Sequence, residues 1–160
     1  MPFTKRTFSG FGQFLRETAG LLKSWRQIRK AMRSEVILPA FRERLMLAVT
    51  AVNECSYCAH AHSREALKHG IGQLELEQIL SGRFEECPRR EIPAILYAQH
   101  WAESDGQPQA EILNKLKEYY SPQEIEHIHL YLRMIRLGNL TGNSWDYIIS
   151  RLPCRRRHIR

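Results

Sequence analysis

Apolar side chains recur along this chain at three- and four-residue steps, the period of an α-helix with one buried face. Phe11, Phe14, Leu15, Leu21, Leu22, Trp25, Ile28 and Met32 form the first such stripe and predict one amphipathic helix over roughly 9–33. Pro39 suits the first turn of a second helix, which runs through Phe41, Leu45, Met46, Ala48, Val49 and Val52. Asn53 reads as a break or N-cap. A third helix begins near Cys55 and ends at His69-Gly70. A fourth spans about 73–81 and stops at Gly82, and a fifth, opened by Pro88, spans about 89–103 with Ile92, Ile95, Leu96 and Trp101. Asp105-Gly106-Gln107-Pro108 is a turn before a sixth helix over about 109–119. Ser121-Pro122-Gln123-Glu124 fits a capping box that opens a seventh helix, ending at Leu137-Gly138. A last helix covers about 141–152 and stops at Pro153. No segment alternates with period two, so the expected fold is all-α.

At 160 residues, 43% of them hydrophobic, the chain suits one domain with a real core that does not depend on disulfide staples. No apolar run approaches the ~18 residues needed to span a membrane. The N-terminus interleaves its apolar residues with Lys and Arg and lacks a signal-peptide pattern, so the expected location is cytoplasmic. The net charge of +7 is uneven. Residues 1–34 carry eight basic side chains against Glu17 alone, the last ten residues carry five arginines, and the centre is mildly acidic. Basic ends fit an acidic partner, nucleic acid or an anionic surface, but also a simple solubilising tail. Three segments follow: a basic amphipathic extension over 1–34, a main domain over 35–152 and an Arg-rich tail over 153–160.

Of four cysteines, only Cys55 and Cys58 are close in sequence; Cys87 and Cys154 read as bystanders. In a reducing compartment a close pair points to catalysis or metal binding more than to structure. Near a helix start, a spacing of three places both sulfurs on one face, within reach of a disulfide. Exposed backbone N–H groups there favour the thiolate, the form that attacks peroxides and disulfides. His62 follows Cys58 by four residues and Cys55 by seven, on the same stripe. A histidine titrates near neutrality and suits the role of base towards a thiol. The pair also serves zinc sites. Cys55, Cys58 and a histidine supply three ligands, with Cys87 as a distant fourth, and no standard pattern completes the four that a structural zinc needs. His127 and His129 flank Ile128 and point apart on a helix, so they form no chelating pair; His100, Trp101, Trp145 and Tyr147 read as packing residues.

Glu43, Cys55, Cys58 and His62 together read as Glu-x11-Cys-x2-Cys-x3-His, and the run Cys55-Ser56-Tyr57-Cys58-Ala59-His60-Ala61-His62 is followed by Ala66 and Gly70. This pattern resembles the AhpD-like alkylhydroperoxidases of the carboxymuconolactone decarboxylase superfamily, over roughly residues 35–150. Gly138-Asn139-Leu140-Thr141-Gly142-Asn143 weakly resembles that superfamily's C-terminal helix region.

The resemblance implies an all-helical bundle assembled into homo-oligomers, trimers or hexamers, with no cofactor or resident metal. It implies that Cys58 attacks the hydroperoxide and becomes a sulfenic acid, that Cys55 resolves it to a disulfide, and that His62 and Glu43 relay the proton. A dithiol donor, in the family's best-known member a lipoyl-bearing protein, then reduces the pair. This chain departs from that member in having Tyr57 where a histidine precedes the second cysteine, and His60 two residues after Cys58. A phenol, with an ordinary pKa of about 10, is a poor base near neutrality, so the departure leaves general thiol–disulfide exchange beside peroxide reduction. Tyr57 and His60 stand as accessory candidates. The competing readings are a zinc-stabilised interaction module and a basic surface for nucleic acid or an anionic membrane whose thiols sense oxidation; no nucleic-acid motif supports the latter.

Overall fold

A computed structural model describes residues 4–151. Among them the chain forms helices only: α1 (Phe11–Lys23), α2 (Trp25–Arg33), α3 (Pro39–Asn53), α4 (Ser56–Lys68), α5 (Gln73–Leu80), α6 (Ile92–Glu103), α7 (Ala110–Tyr119) and α8 (Pro122–Arg151). The all-α expectation holds. The Arg-rich tail and Cys154 lie outside the described residues.

The centre of the molecule is α3. Pro39 occupies its first turn, where a missing N–H costs nothing, and every residue from Glu43 to Thr50 is buried. It packs against α4, α5, α6 and α8, so its apolar side chains are covered on all sides by Leu76, Ile79, Ile95, Ala98, Ile128, Leu132 and their neighbours. A charge inside this packing is answered locally. Arg44 makes ion pairs to Glu75 and Glu91, both largely buried. A buried charge left unpaired costs several kcal/mol, about 3–5, which explains why the three occur together.

The helix boundaries carry the sequence signals with three exceptions. Ser121 and Glu124 form the expected box, Ser121 N–H donating to the Glu124 carboxylate at 2.8 Å and Glu124 N–H to Ser121 Oγ at 3.3 Å. At the end of α4, Gly70 takes φ +83° and Ile71 N–H returns to the Ala66 carbonyl at 3.1 Å, a left-handed turn that favours glycine.

The first exception is the stripe over 9–33, which is two helices meeting at Ser24. Ser24 N–H still bonds to Gly20 O and Ile28 N–H to Ser24 O, so the period runs through the junction and hides it from the sequence. Only α2 buries side chains, Ile28 and Ala31; α1 buries none. The second is the fifth helix, which starts at Ile92 because Pro93, not Pro88, sits in its first turn; residues 88–91 form a turn closed by Glu91 N–H to Pro88 O at 2.8 Å.

The third is the largest. The predicted break at Leu137-Gly138 does not exist, and the seventh and last helices are one, α8, 30 residues long. Of its two glycines, Gly142 serves close approach. A methyl group added at Gly138 would meet Cys58 Sγ at 4.0 Å, and one at Gly142 would meet Cys55 Sγ at 3.1 Å. Gly138→Ala is therefore expected to raise stability by up to about 1 kcal/mol, from helix propensity. Gly142→Ala is expected to lose about 1–2 kcal/mol, because the buried Cys55 cannot retreat. Denaturant unfolding of the reduced protein measures both, and equal midpoints would show that the sulfur yields.

Candidate functional site

Cys55 and Cys58 lie at the start of α4, as their spacing predicts. The junction from α3 is one tight turn: Glu54 is left-handed at φ 56°, and Cys55 returns to extended geometry as the N-cap. The cap is therefore Cys55, not Asn53. Its Sγ accepts the Cys58 backbone N–H at 3.4 Å, taking the place a serine or aspartate oxygen would fill. Both sulfurs are buried and reduced, Cys55 being 2% and Cys58 7% exposed.

The two thiols differ electrostatically. A hydrogen bond from Cys58, followed in weight by the backbone N–H of Cys58 and the charge of Lys5, outweighs burial and lowers Cys55 from 9.0 to about 6. Cys58 is pushed up, first by that same hydrogen bond and then by burial, and a hydrogen bond from Asn139 only partly offsets the rise. The pair near neutrality thus holds one negative charge, carried on Cys55, and one proton, carried on Cys58. Cys87 is elsewhere, beside Glu75, Arg44 and Glu91, and burial pushes it up to about 12.

One turn further along α4, His62 Nδ1 pairs with Glu43 Oε2 at 2.7 Å. Glu43 is buried in α3 and also accepts from Arg42 Nε at 3.3 Å. The residues expected to form a proton relay are in contact with each other, while the described hydrogen bonds do not join His62 to either sulfur. The accessory candidates point outward: His60 is exposed, and Tyr57 is 77% exposed at the mouth of a groove. His127 reaches Ser34 and His129 reaches Tyr97, in separate contacts. Among the described residues no group of three or more His, Cys, Asp or Glu is placed to hold a metal ion, and Cys87 stands with Arg44 instead of the cysteine pair.

A polar network that sequence reasoning did not assign supports the pair. Asn139 on α8 donates to Thr50 Oγ1 at 3.2 Å and accepts from Asn53 Nδ2 at 3.1 Å. One turn on, Asn143 Nδ2 donates to the Asn53 carbonyl at 2.7 Å and to the Arg6 carbonyl at 2.8 Å. The signal for it was the spacing Gly138-Asn139 and Gly142-Asn143, which repeats at four residues and so lines one helix face.

Cys58 opens onto a groove of about 1130 Å³ between α1, α2 and α8. Its walls include Phe8, Phe14, Leu21, Leu22, Trp25 and Met134, and are almost wholly apolar. Trp145 and Ile148 rim it, exposed, so Trp145 is not the packing residue it was expected to be; Tyr147, also half-exposed, stacks under Arg151.

Fold and site together define an all-helical dithiol protein with a carboxylate–histidine pair beside its cysteines. The chain belongs to the carboxymuconolactone decarboxylase family, whose model matches residues 19–104, a span that includes Glu43, Cys55, Cys58 and His62. No curated protein matches it. No helix among the described residues is long and apolar enough to cross a membrane.

With Cys55 lowered, the reduced protein is expected to titrate one thiolate with a midpoint of about 6, and Cys55→Ser to lose that transition. Folding expels the Cys55 proton, so this group adds stability as pH rises from about 6 towards 9.0 and its contribution is lost as pH falls through about 6. Thiolate absorbance and unfolding free energy measured across that window check both statements.

Proposed function

We propose that the chain is a thiol-dependent oxidoreductase that reduces an apolar hydroperoxide or a disulfide through Cys58 and Cys55. The observation that carries this reading is the asymmetric dithiol at the start of α4, with Cys58 lining the apolar groove and the His62–Glu43 pair one turn away.

Cys58 is the thiol in reach of a substrate, and it must first lose its proton. Cys55 accepts the Cys58 hydrogen bond and takes that proton directly, or water passes it to His62, whose charge Glu43 balances. The Cys58 thiolate then attacks the peroxide's outer oxygen: an S–O bond forms, the O–O bond breaks, and the leaving alkoxide takes up a proton to become the alcohol. Cys55, again deprotonated, attacks the sulfur of the Cys58 sulfenic acid; an S–S bond forms and hydroxide leaves as water. Two electrons and two protons from a dithiol donor, of which a lipoyl-bearing protein is one chemical example, restore the pair by exchange. An anionic Cys55 also suits direct exchange with disulfides. The groove's exposed apolar rim fits contact with further copies of the chain as a trimer or hexamer, and division of the chain into a basic extension, a redox domain and a tail belongs to the same proposal.

Stoichiometric hydroperoxide is expected to convert the reduced protein to a Cys55–Cys58 disulfide, and Cys55→Ser to accumulate sulfenic acid on Cys58, both read by mass spectrometry. His62→Ala and Glu43→Gln are expected to slow disulfide formation by about 10²-fold, the usual weight of positioned acid–base catalysis. An aryl or long-chain hydroperoxide is expected to react faster than hydrogen peroxide. Thiols that stay reduced in excess peroxide and in excess disulfide overturn the reading.

A further inference from the structure

Residues 4–10 precede the first helix and lie outside the family match, yet four of them, Thr4, Lys5, Arg6 and Phe8, are hydrogen-bonded to the site and its surroundings. Thr4 Oγ1 donates to the Glu54 carboxylate at 3.2 Å. Lys5 Nζ donates to Ser56 Oγ at 3.2 Å and to Asp146 Oδ2 at 2.8 Å. The Arg6 carbonyl accepts from Asn143, and the Phe8 N–H donates to Ser144 Oγ at 3.3 Å. Glu54 and Ser56 are the residues on either side of Cys55. The segment is thus a strap laid over the turn between α3 and α4, and its one ammonium group is fixed beside the cap position.

We propose that Lys5 is a positioning residue of the redox pair: held on this strap, its charge stabilises the Cys55 thiolate and so governs the step in which Cys55 resolves oxidised Cys58. The inference rests on the dithiol function proposed above.

The charges around Cys55 set the balance. From α4 comes the Cys58 thiol, the strongest stabiliser of the Cys55 anion; from the strap comes Lys5; from α8 comes Asp146, which opposes it. Glu54, at the junction, is engaged by Thr4. The Cys58 hydrogen bond is spent when Cys58 is oxidised. What remains at that moment is the backbone N–H of residue 58 and Lys5. Asp146 is itself paired to Lys5, which holds the ammonium in place; the pair is only partly exposed on the lysine side.

The test is alkylation of the reduced full-length protein by iodoacetamide as a function of pH, with the modified cysteine identified by peptide mass, in the wild type and in Cys58→Ala. Lys5→Met is expected to raise the Cys55 midpoint by about half a pH unit to one unit in both backgrounds, and Lys5→Arg to keep it. Raising salt from about 0.05 to about 0.5 M is expected to raise the midpoint in the wild type and not to raise it in Lys5→Met, where only the opposing Asp146 charge is left to screen. An unchanged midpoint in Lys5→Met overturns the proposal. So does an equal rise in Lys5→Arg, which would assign the effect to the fit of the strap and not to charge. The readout needs no peroxide turnover, so a protein inactive as a peroxidase still decides the role of Lys5.

Discussion

One side-chain amide ties the site together. Asn143 reaches from α8 to the carbonyl that ends α3 and to the carbonyl of Arg6 on the N-terminal strap. The last carbonyls of a helix have no partner within it, and a buried one left unmade costs about 1–3 kcal/mol. The chain meets that need at Asn53 with an amide from another element. The consequence is geometric: α8 must pass close enough to the α3–α4 junction for a short side chain to reach, and at that separation a methyl group at 142 would crowd the Cys55 sulfur at 3.1 Å. Cys55 then takes the N-cap position. The sulfur is buried by the packing that the hydrogen bond requires.

Burial alone would raise both thiols. The asymmetry comes from α4 itself. Its first-turn N–H groups face Cys55, and the helix geometry puts the Cys58 thiol where it donates to that sulfur. Cys58 faces the groove with its proton on, under Asn139. A pair that shares one proton can place its charge on either sulfur by a short transfer, while two buried thiolates side by side would repel. The His62–Glu43 pair is anchored independently, through α3, and Glu43 is held from both sides by Arg42 and His62. The carboxylate–histidine pair and the dithiol are thereby fixed to the same two helices, α3 and α4, at the centre of the core.

Much of this was legible from residue types. The four-residue pattern Glu43, Cys55, Cys58 and His62 reports directly on a contact, because α3 and α4 are rigid and joined by a single turn, so sequence spacing translates into distance. Pro39, Gly70 and the Ser121–Glu124 box also read true, since each acts through its own backbone. What failed was of another kind. Gly138 has the look of a helix stop, but a glycine ends a helix only when nothing else holds it; here α8 continues on both sides, and a methyl group at 138 would make no more than an ordinary contact with Cys58. Ser24 interrupts a helix without shifting its period. Pro88 has the look of a helix start, but Pro93 competes for that place and takes the first turn of α6. Asn139 and Asn143 had a visible four-residue repeat, but nothing local says what an asparagine on a buried helix face will meet. Trp145 was assigned to packing by its size, and the described residues leave it exposed at the rim of the groove.

The groove changes how the basic extension should be understood. As a sequence, residues 1–34 are an amphipathic stripe with positive charge, a pattern that fits packing on the chain's own core or between subunits first, and a membrane surface second. In the structure its two helices divide the work: α2 seats Ile28 and Ala31 against α8, with the Tyr131 hydroxyl donating to the Ala31 carbonyl at 2.9 Å, while α1 buries nothing and turns Phe14 and Leu21 towards the groove. That apolar wall, whose Leu21 also packs against the core, lowers the polarity around the one cysteine that opens onto it. Low polarity disfavours a free Cys58 thiolate and favours neutral, apolar molecules beside it. The proton therefore rests on Cys58, and the charge on Cys55, which does not line the groove. On the proposed function, that arrangement separates holding the charge from meeting the substrate, and it makes the extension part of the site's chemistry and not an appendage to it.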